Sequence, residues 1–337
     1  MTEIIIFFLT TLIFTIFSKK FNLIPNFSGE DHQFFLKENK VPLIGGVLFL
    51  ILSIYFFYEK NILFCFSIFF IFSIGFFSDT RIINSPKIRI FLQTLIVFLT
   101  VYILDIQISS TRISLLDKVI NIKLFGIIFC IFCFMILING SNFIDGLNGL
   151  LLGYLLIILF ILSKLNLLDL LQFDDDLKIF LFVSLLIMLI FNLLNFFYLG
   201  DGGSYSIGLV LGYLLITIYN LSNLISPFFI ILLLWYPCFE NLFSILRKNK
   251  LKNSPIMADD KHLHQLLYFY LQKKFFKNNL LANNLSSILI NFYNFILIFT
   301  ASKNIYNTNF QVFLIVVNIF IYLIFYKYLF SFRFIKK

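Results

Sequence analysis

Charge is what this sequence has least of. Of 337 residues only 13% are charged, against 60% hydrophobic, and the mean hydropathy is +0.97. A water-soluble domain carries roughly a quarter charged residues, so most of this chain has lipid for its solvent. Cysteine is scarce as well: Cys65, Cys130, Cys133 and Cys238 all lie in apolar runs. Cys130 and Cys133 form a CxxC, but no second pair closes a zinc site, and they read as small apolar residues of a span. No internal repeat or linker divides residues 1–337, which are expected to form one domain. A cleavable signal peptide is not expected, because Met-Thr-Glu is acidic where a basic n-region belongs and no small-residue cleavage site follows.

What is present in abundance is apolar sequence. The 49 phenylalanines replace other lipid-facing residues and point to genomic base composition rather than to chemistry. Runs near the ~20 residues that cross ~30 Å of hydrocarbon fall at 3–18, 41–58, 61–77, 88–105, 122–139, 147–164, 178–199, 204–221, 224–243, 283–301 and 309–330. The expectation is therefore an all-α polytopic membrane protein of about 11 transmembrane helices, with a periplasmic N-terminus. Alternating the loops puts 19 Lys and Arg on one side and 7 on the other. By the positive-inside rule the richer side, which includes the C-terminus, is cytoplasmic. The net charge of +9 is explained by juxtamembrane contact with anionic lipid and needs no nucleic-acid partner. The Asp174-Asp175-Asp176 run falls in an outer loop and reads as a solvated segment.

Five polar clusters interrupt the apolar pattern, all at span ends on the basic side. Lys40-Val-Pro42-Leu-Ile-Gly45-Gly46 opens the second span, with glycines that let backbone approach a ligand and a lysine that could reach phosphate or ribose. Gly75-Phe-Phe-Ser78-Asp79 closes the third, with Lys87 and Gln93 opening the fourth. Asn139-Gly-Ser-Asn142-Phe-Ile-Asp145-Gly146-Leu-Asn148-Gly149 is the densest. Its Asn139, Asn142 and Asp145 recur along one helical face and could ligate a cation or hydrogen-bond a base. Gly200-Asp201-Gly202-Gly203-Ser204 precedes the eighth span. A Gly-rich turn opening a helix suits phosphate through its free N–H groups, and Asp201 suits Mg²⁺, which takes one or two carboxylates plus substrate phosphates. Asp259-Asp260-Lys261-His262-Leu-His264-Gln265 lies in the long basic loop after the ninth span. Carboxylates, amides, Gly turns and cations on one face specify a site for a polyanion with a divalent metal.

These motifs, in this order from Lys40 to Gln265, resemble those of the polyprenyl-phosphate N-acetylhexosamine-1-phosphate transferases, relatives of phospho-MurNAc-pentapeptide transferase. Asn142-Phe-Ile-Asp145-Gly146 and Gly200-Asp201-Gly202-Gly203-Ser204 carry the resemblance most specifically. Two departures stand out: Ser78-Asp79 where the family has Asp-Asp, and His262-Leu-His264-Gln265 where it has His-x-His-His. With eleven spans, these favour the sugar-only branch over the pentapeptide branch. The resemblance implies transfer of a sugar 1-phosphate from a UDP-N-acetylhexosamine to polyprenyl phosphate, with Mg²⁺ (or Mn²⁺) as cofactor. It implies catalytic roles for Asp79, Asp145, Asp201, His262 and His264, and Mg²⁺ held by Asp201 and Asn142. Asp79 would sit by the acceptor phosphate, and Lys87 and the histidines by phosphates or sugar. Lys40, Asp145 and Asn148 would face the uridine, with Gly45, Gly46, Gln93, Asn139, Gly202 and Ser204 completing the substrate site. A bacterial inner membrane location is expected, and a homodimer is compatible. A transporter with a midplane ion site would place charges deep in the bilayer, unlike this pattern. A non-catalytic scaffold, degenerate at Ser78 and Gln265, is the other alternative.

Overall fold

A computed structural model describes residues 2–24, 41–222, 224–250 and 260–334. Its regular structure is helical. The helices are α1 (Thr2–Phe21), α2 (Gly45–Phe57), α3 (Ile62–Asp79), α4 (Pro86–Ile103), α5 (Ser114–Ile120), α6 (Lys123–Ile144), α7 (Leu150–Lys164), α8 (Asp175–Leu193), α9 (Gly200–Leu221), α10 (Pro227–Leu233), α11 (Trp235–Lys250), α12 (Leu263–Lys274), α13 (Asn279–Ala301) and α14 (Thr308–Phe334).

Among the described residues eight helices are long and apolar enough to cross a membrane, and α10 with α11 would make a ninth span bent by 81°. The runs at 41–58 and 147–164 give shorter helices of 13 and 15 residues. At 1.5 Å per residue each rises only about 20 Å, short of the hydrocarbon thickness. The bend between α10 and α11 has a covalent cause. Pro237 has no N–H to give the carbonyl four residues back, and Tyr154 Oη donates to that orphaned Leu233 oxygen instead (3.0 Å). The same hydroxyl accepts from Tyr236 N (3.3 Å), so α7 pins both sides of the break.

Helix α9 is the axis of the bundle, packed by α2, α3 and α6. The close approach of α3 depends on Gly75, where a Cβ would lie 2.4 Å from Gly202 N. Small residues let apolar helices approach in this way where no hydrophobic force draws them together. Following the chain up and down, the C-terminal ends of α3 and α6 and the N-terminal ends of α2, α4, α7 and α9 gather at one end of the bundle. That end holds the polar clusters.

Candidate active site

The end of α3 meets the start of α9. Asp79 Oδ1 accepts from Asp201 N (2.9 Å) and its Oδ2 from Gly202 N (3.2 Å), which answers two of the donors left open at a helix N-terminus. Gly200 makes this contact possible twice over. Its φ of +72° suits glycine, and a Cβ there would sit 2.5 Å from Asp79 Oδ2. Asp201 faces the other way. Its Oδ2 accepts from Ser78 Oγ (2.8 Å), Arg89 Nη1 (2.9 Å) and Tyr205 Oη (3.3 Å). Arg89 Nη1 also donates to Ser78 Oγ (2.7 Å), so Ser78, Arg89 and Asp201 contact one another pairwise.

The end of α6 joins from the side. Asn142 Oδ1 accepts from Ser204 Oγ (2.9 Å), and the same hydroxyl donates to the Asp201 carbonyl (3.2 Å). Asp145 caps α6 just beyond its last residue and is half-buried; its carboxyl has no hydrogen-bond partner among the described residues. Burial pushes that carboxyl well above the usual carboxylate range, and the nearby Asp201 and Asp79 charges push it further. The loop that follows is tied down by amides. Asn283 Oδ1 accepts from Asn148 N (2.9 Å), Asn192 Oδ1 accepts from Gly149 N (2.6 Å), and Asn291 Nδ2 donates to Gly149 O (3.1 Å).

The histidine loop closes over the α6 end. The His262 ring lies 5.0 Å from that of Phe143, and a Cβ on Gly146 would be 3.2 Å from His264 Nε2. Both histidines are buried. Desolvation lowers the His264 imidazole to a pKa of about 3, with the neighbouring His262 adding to the effect, so it is neutral at pH 7. Gln265 Oε1 accepts from His262 N (3.1 Å) at the start of α12.

The five sequence clusters thus converge, but several residues have other duties than those expected. The Gly200–Ser204 turn does not offer Asp201 N and Gly202 N to a phosphate, because Asp79 takes both. Gly45 N and Gly46 N are likewise spent, on the carbonyls of Tyr198 and Leu199 at 3.0 Å each, and a Cβ on Gly46 would meet Gly203 N at 2.6 Å. These glycines serve helix approach. Asn148 is buried, with its Nδ2 donating to Asn195 Oδ1 (3.3 Å), which makes it a loop brace. Gln93 is buried and accepts from Asn139 Nδ2 (3.3 Å). Lys87 is exposed at the start of α4. Lys40 lies outside the described residues, as does Asp259.

Arg89 and Glu240 were not singled out from the sequence. Arg89 stood among the basic residues of its side, and only the fold brings it to Asp201. Glu240 carried a signal: it is the one carboxylate inside the apolar run 224–243, and ionisable residues at membrane depth are functional by default. It is fully buried beside His262.

Among the described residues no group of three His, Cys, Asp or Glu is arranged to hold a metal ion. The ligating atoms at hand are oxygens: Asp201 Oδ1, the Asn142 amide oxygen, which already accepts from Ser204 Oγ, and the Asp145 carboxyl, which has no hydrogen-bond partner among the described residues. Clustered carboxylates with too few donors fit a hard divalent cation, which would relieve their mutual repulsion.

A bundle of this many apolar helices, with a carboxylate cluster gathered at one end, fits a multi-pass membrane protein. The model of glycosyl transferase family 4 matches residues 61–219. It is 27% identical over 283 residues to an undecaprenyl-phosphate alpha-N-acetylglucosaminyl 1-phosphate transferase of Thermotoga maritima, covering 79% of this chain and 80% of the relative. A transferase of the same name from Escherichia coli is 26% identical over 291 residues, covering 79% and 76%.

Proposed function

We propose that this protein transfers an N-acetylhexosamine 1-phosphate from a UDP-sugar to polyprenyl phosphate, releasing UMP. What carries the reading is the meeting of Asp79, Asn142, Asp145 and Asp201 at one end of a lipid-soluble bundle, together with relatives named for this reaction. All of the relatives above are named for the N-acetylglucosaminyl reaction, which does not favour the pentapeptide alternative.

In the reaction an oxygen of the polyprenyl phosphate attacks the sugar-linked phosphorus of the UDP-sugar. A new P–O bond forms, the bond to UMP breaks, and UMP leaves with the electron pair. The nucleophile is already anionic, so the difficulty lies in holding three phosphates together against repulsion. Mg²⁺ (or Mn²⁺) held by Asp201 and Asn142 would supply charge neutralisation across the pyrophosphate. Asp145, whose carboxyl is raised by burial and by the Asp201 and Asp79 charges, would add negative charge once a cation is bound. Asp79 holds the α9 N-terminus so that Asp201 faces the substrates. Arg89 supplies a cation within reach of any phosphate that displaces it from Asp201. His264, neutral and buried, can donate a hydrogen bond to sugar or phosphate without changing charge near pH 7.

In this reading the chain crosses a bacterial inner membrane eleven times, with α2 and α7 as short traverses. The N-terminus is periplasmic, and the site faces the cytoplasm. The soluble nucleotide and the lipid phosphate meet where helix ends reach the interface. The product would begin a cell-envelope polysaccharide. The test is release of UMP by the purified protein from a panel of UDP-sugars, with undecaprenyl phosphate as acceptor. Release with an N-acetylhexosamine, lost on chelation, is the expected result. No release with any sugar would overturn the reading.

A further inference from the structure

Two side chains one helical turn apart on α11 reach the two histidines, and they present opposite chemistry. Glu240 Oε1 accepts from His262 Nδ1 (3.2 Å) and from Leu263 N (3.2 Å), while its Oε2 accepts from Tyr322 Oη of α14 (2.7 Å). A carboxylate so placed can only accept, so His262 Nδ1 must carry a proton. Tyr236 Oη lies 3.2 Å from His264 Nδ1. The hydroxyl is buried within the core and has no other acceptor among the described residues. Leaving its proton unpaired would cost the full desolvation penalty, so the tyrosine donates and His264 Nδ1 accepts. A neutral imidazole whose Nδ1 accepts carries its proton on Nε2. That Nε2 is buried with no partner among the described residues, and it is directed at Gly146 beside Asp145.

We propose that Glu240 and Tyr236 are positioning residues that set opposite hydrogen-bonding states on the paired histidines, with Nδ1 a donor in His262 and an acceptor in His264. The two rings stack at 5.6 Å and 12°, yet they do different work. His264 presents a neutral Nε2–H donor to an oxygen of the substrate. His262 is tied at Nδ1 to the buried Glu240 carboxylate. Tyr322 adds the C-terminal helix to the site, since it braces the carboxylate from the far side. The inference rests on the transferase reading for what the histidines touch, but not for their protonation.

The chain has three histidines, which makes the test direct. Full-length protein labelled with ¹⁵N-histidine is measured by long-range ¹⁵N–¹H correlation, with each residue assigned by single replacement. The expected spectrum has protonated Nδ1 in His262, and unprotonated Nδ1 with protonated Nε2 in His264. Tyr236→Phe should change the His264 signals alone. Glu240→Gln, which keeps the shape and loses the charge, should change His262 alone and lower UMP release about tenfold. If Glu240→Gln fails to fold, Tyr322→Phe replaces it, with a smaller shift at His262 expected. The same hydrogen-bonding state on both histidines, or a His262 indifferent to its carboxylate, would overturn the proposal. Unresponsive histidines in a protein that still releases UMP would sink this inference alone. An inactive wild type with the expected spectrum would sink the transferase reading and leave the inference standing.

Discussion

Two aspartates outside the long helices, Asp117 and Asp145, lie at opposite ends of the bundle and have opposite surroundings. Asp117 accepts from Thr111 N and Thr111 Oγ1 at 2.6 Å each on Oδ1, and from Ser110 Oγ (2.7 Å) on Oδ2. Burial raises its pKa, but those hydrogen bonds from Thr111 and Ser110 outweigh it and hold the carboxyl below the usual range. Nearby, Arg112 donates to the carbonyls of Leu224, Ile225 and Tyr306, closing that end of the bundle. Asp145 has no donor among the described residues, is raised by burial and then by two other carboxylates, and lies under the histidine loop. One end uses charge to fasten loops. The other leaves one carboxyl, Asp145, without a donor among the described residues, which costs stability and which the proposed cation would offset.

That contrast can be broken most sharply at Asp201. Asp201→Asn should lower UMP release on the order of 10³-fold, the scale of losing a preorganised electrostatic partner, while the protein keeps its elution profile in detergent. A wild-type rate would remove the carboxylate from the chemistry. Gly200→Ala is next. Its Cβ would collide with Asp79 Oδ2 and force a left-handed φ on alanine, so activity should fall about 10²-fold through misplacement, with a lower thermal midpoint. An unchanged midpoint would contradict the close fit of Asp79 on α9.

The pair Asp145→Asn and Asp117→Asn tests the comparison itself. A carboxyl with a raised folded-state pKa costs nothing below its unfolded value, and its penalty grows as pH rises through the folded value. Without metal, Asp145→Asn should therefore stabilise the protein near pH 7, by about 2–4 °C if the relief is roughly 1 kcal/mol, and should cut transfer at least tenfold. Asp117 has the reverse sign: its contribution is present above the unfolded pKa and is lost as pH falls through the lowered one. Asp117→Asn should destabilise by about 1 kcal/mol, after discounting for exposure, and leave transfer by the folded protein within twofold. Equal behaviour of the two variants in thermal scans and UMP assays would dissolve the distinction.

Much of this is legible in the sequence. Each of the five polar clusters reaches the same end of the bundle, apart from the parts of them outside the described residues. Their amides and carboxylates stand out because such groups are costly at membrane depth, and their glycines because they let backbone approach closely. What a linear pattern does not carry is whether a polar group's bonding capacity is already consumed. Asp79 spends both oxygens on α9, Gly45 and Gly46 spend their N–H groups on the Tyr198 and Leu199 carbonyls just before it, and Asn148 spends its amide on Asn195. Those partners lie far off in sequence and exist only once the helices pack. Arg89 was missed for the same reason, since a basic residue at a span end usually meets lipid headgroups. Glu240 was missed although its isolation in an apolar run was readable, and it belongs among the first residues to change.

The most direct measurement is the mass of the lipid product. Purified protein, UDP-N-acetylglucosamine, undecaprenyl phosphate and Mg²⁺ should yield an undecaprenyl diphosphate bearing one N-acetylhexosamine, in amounts equal to the UMP released. UMP accompanied by free sugar phosphate, with no change in the lipid, would contradict transfer to a polyprenyl acceptor.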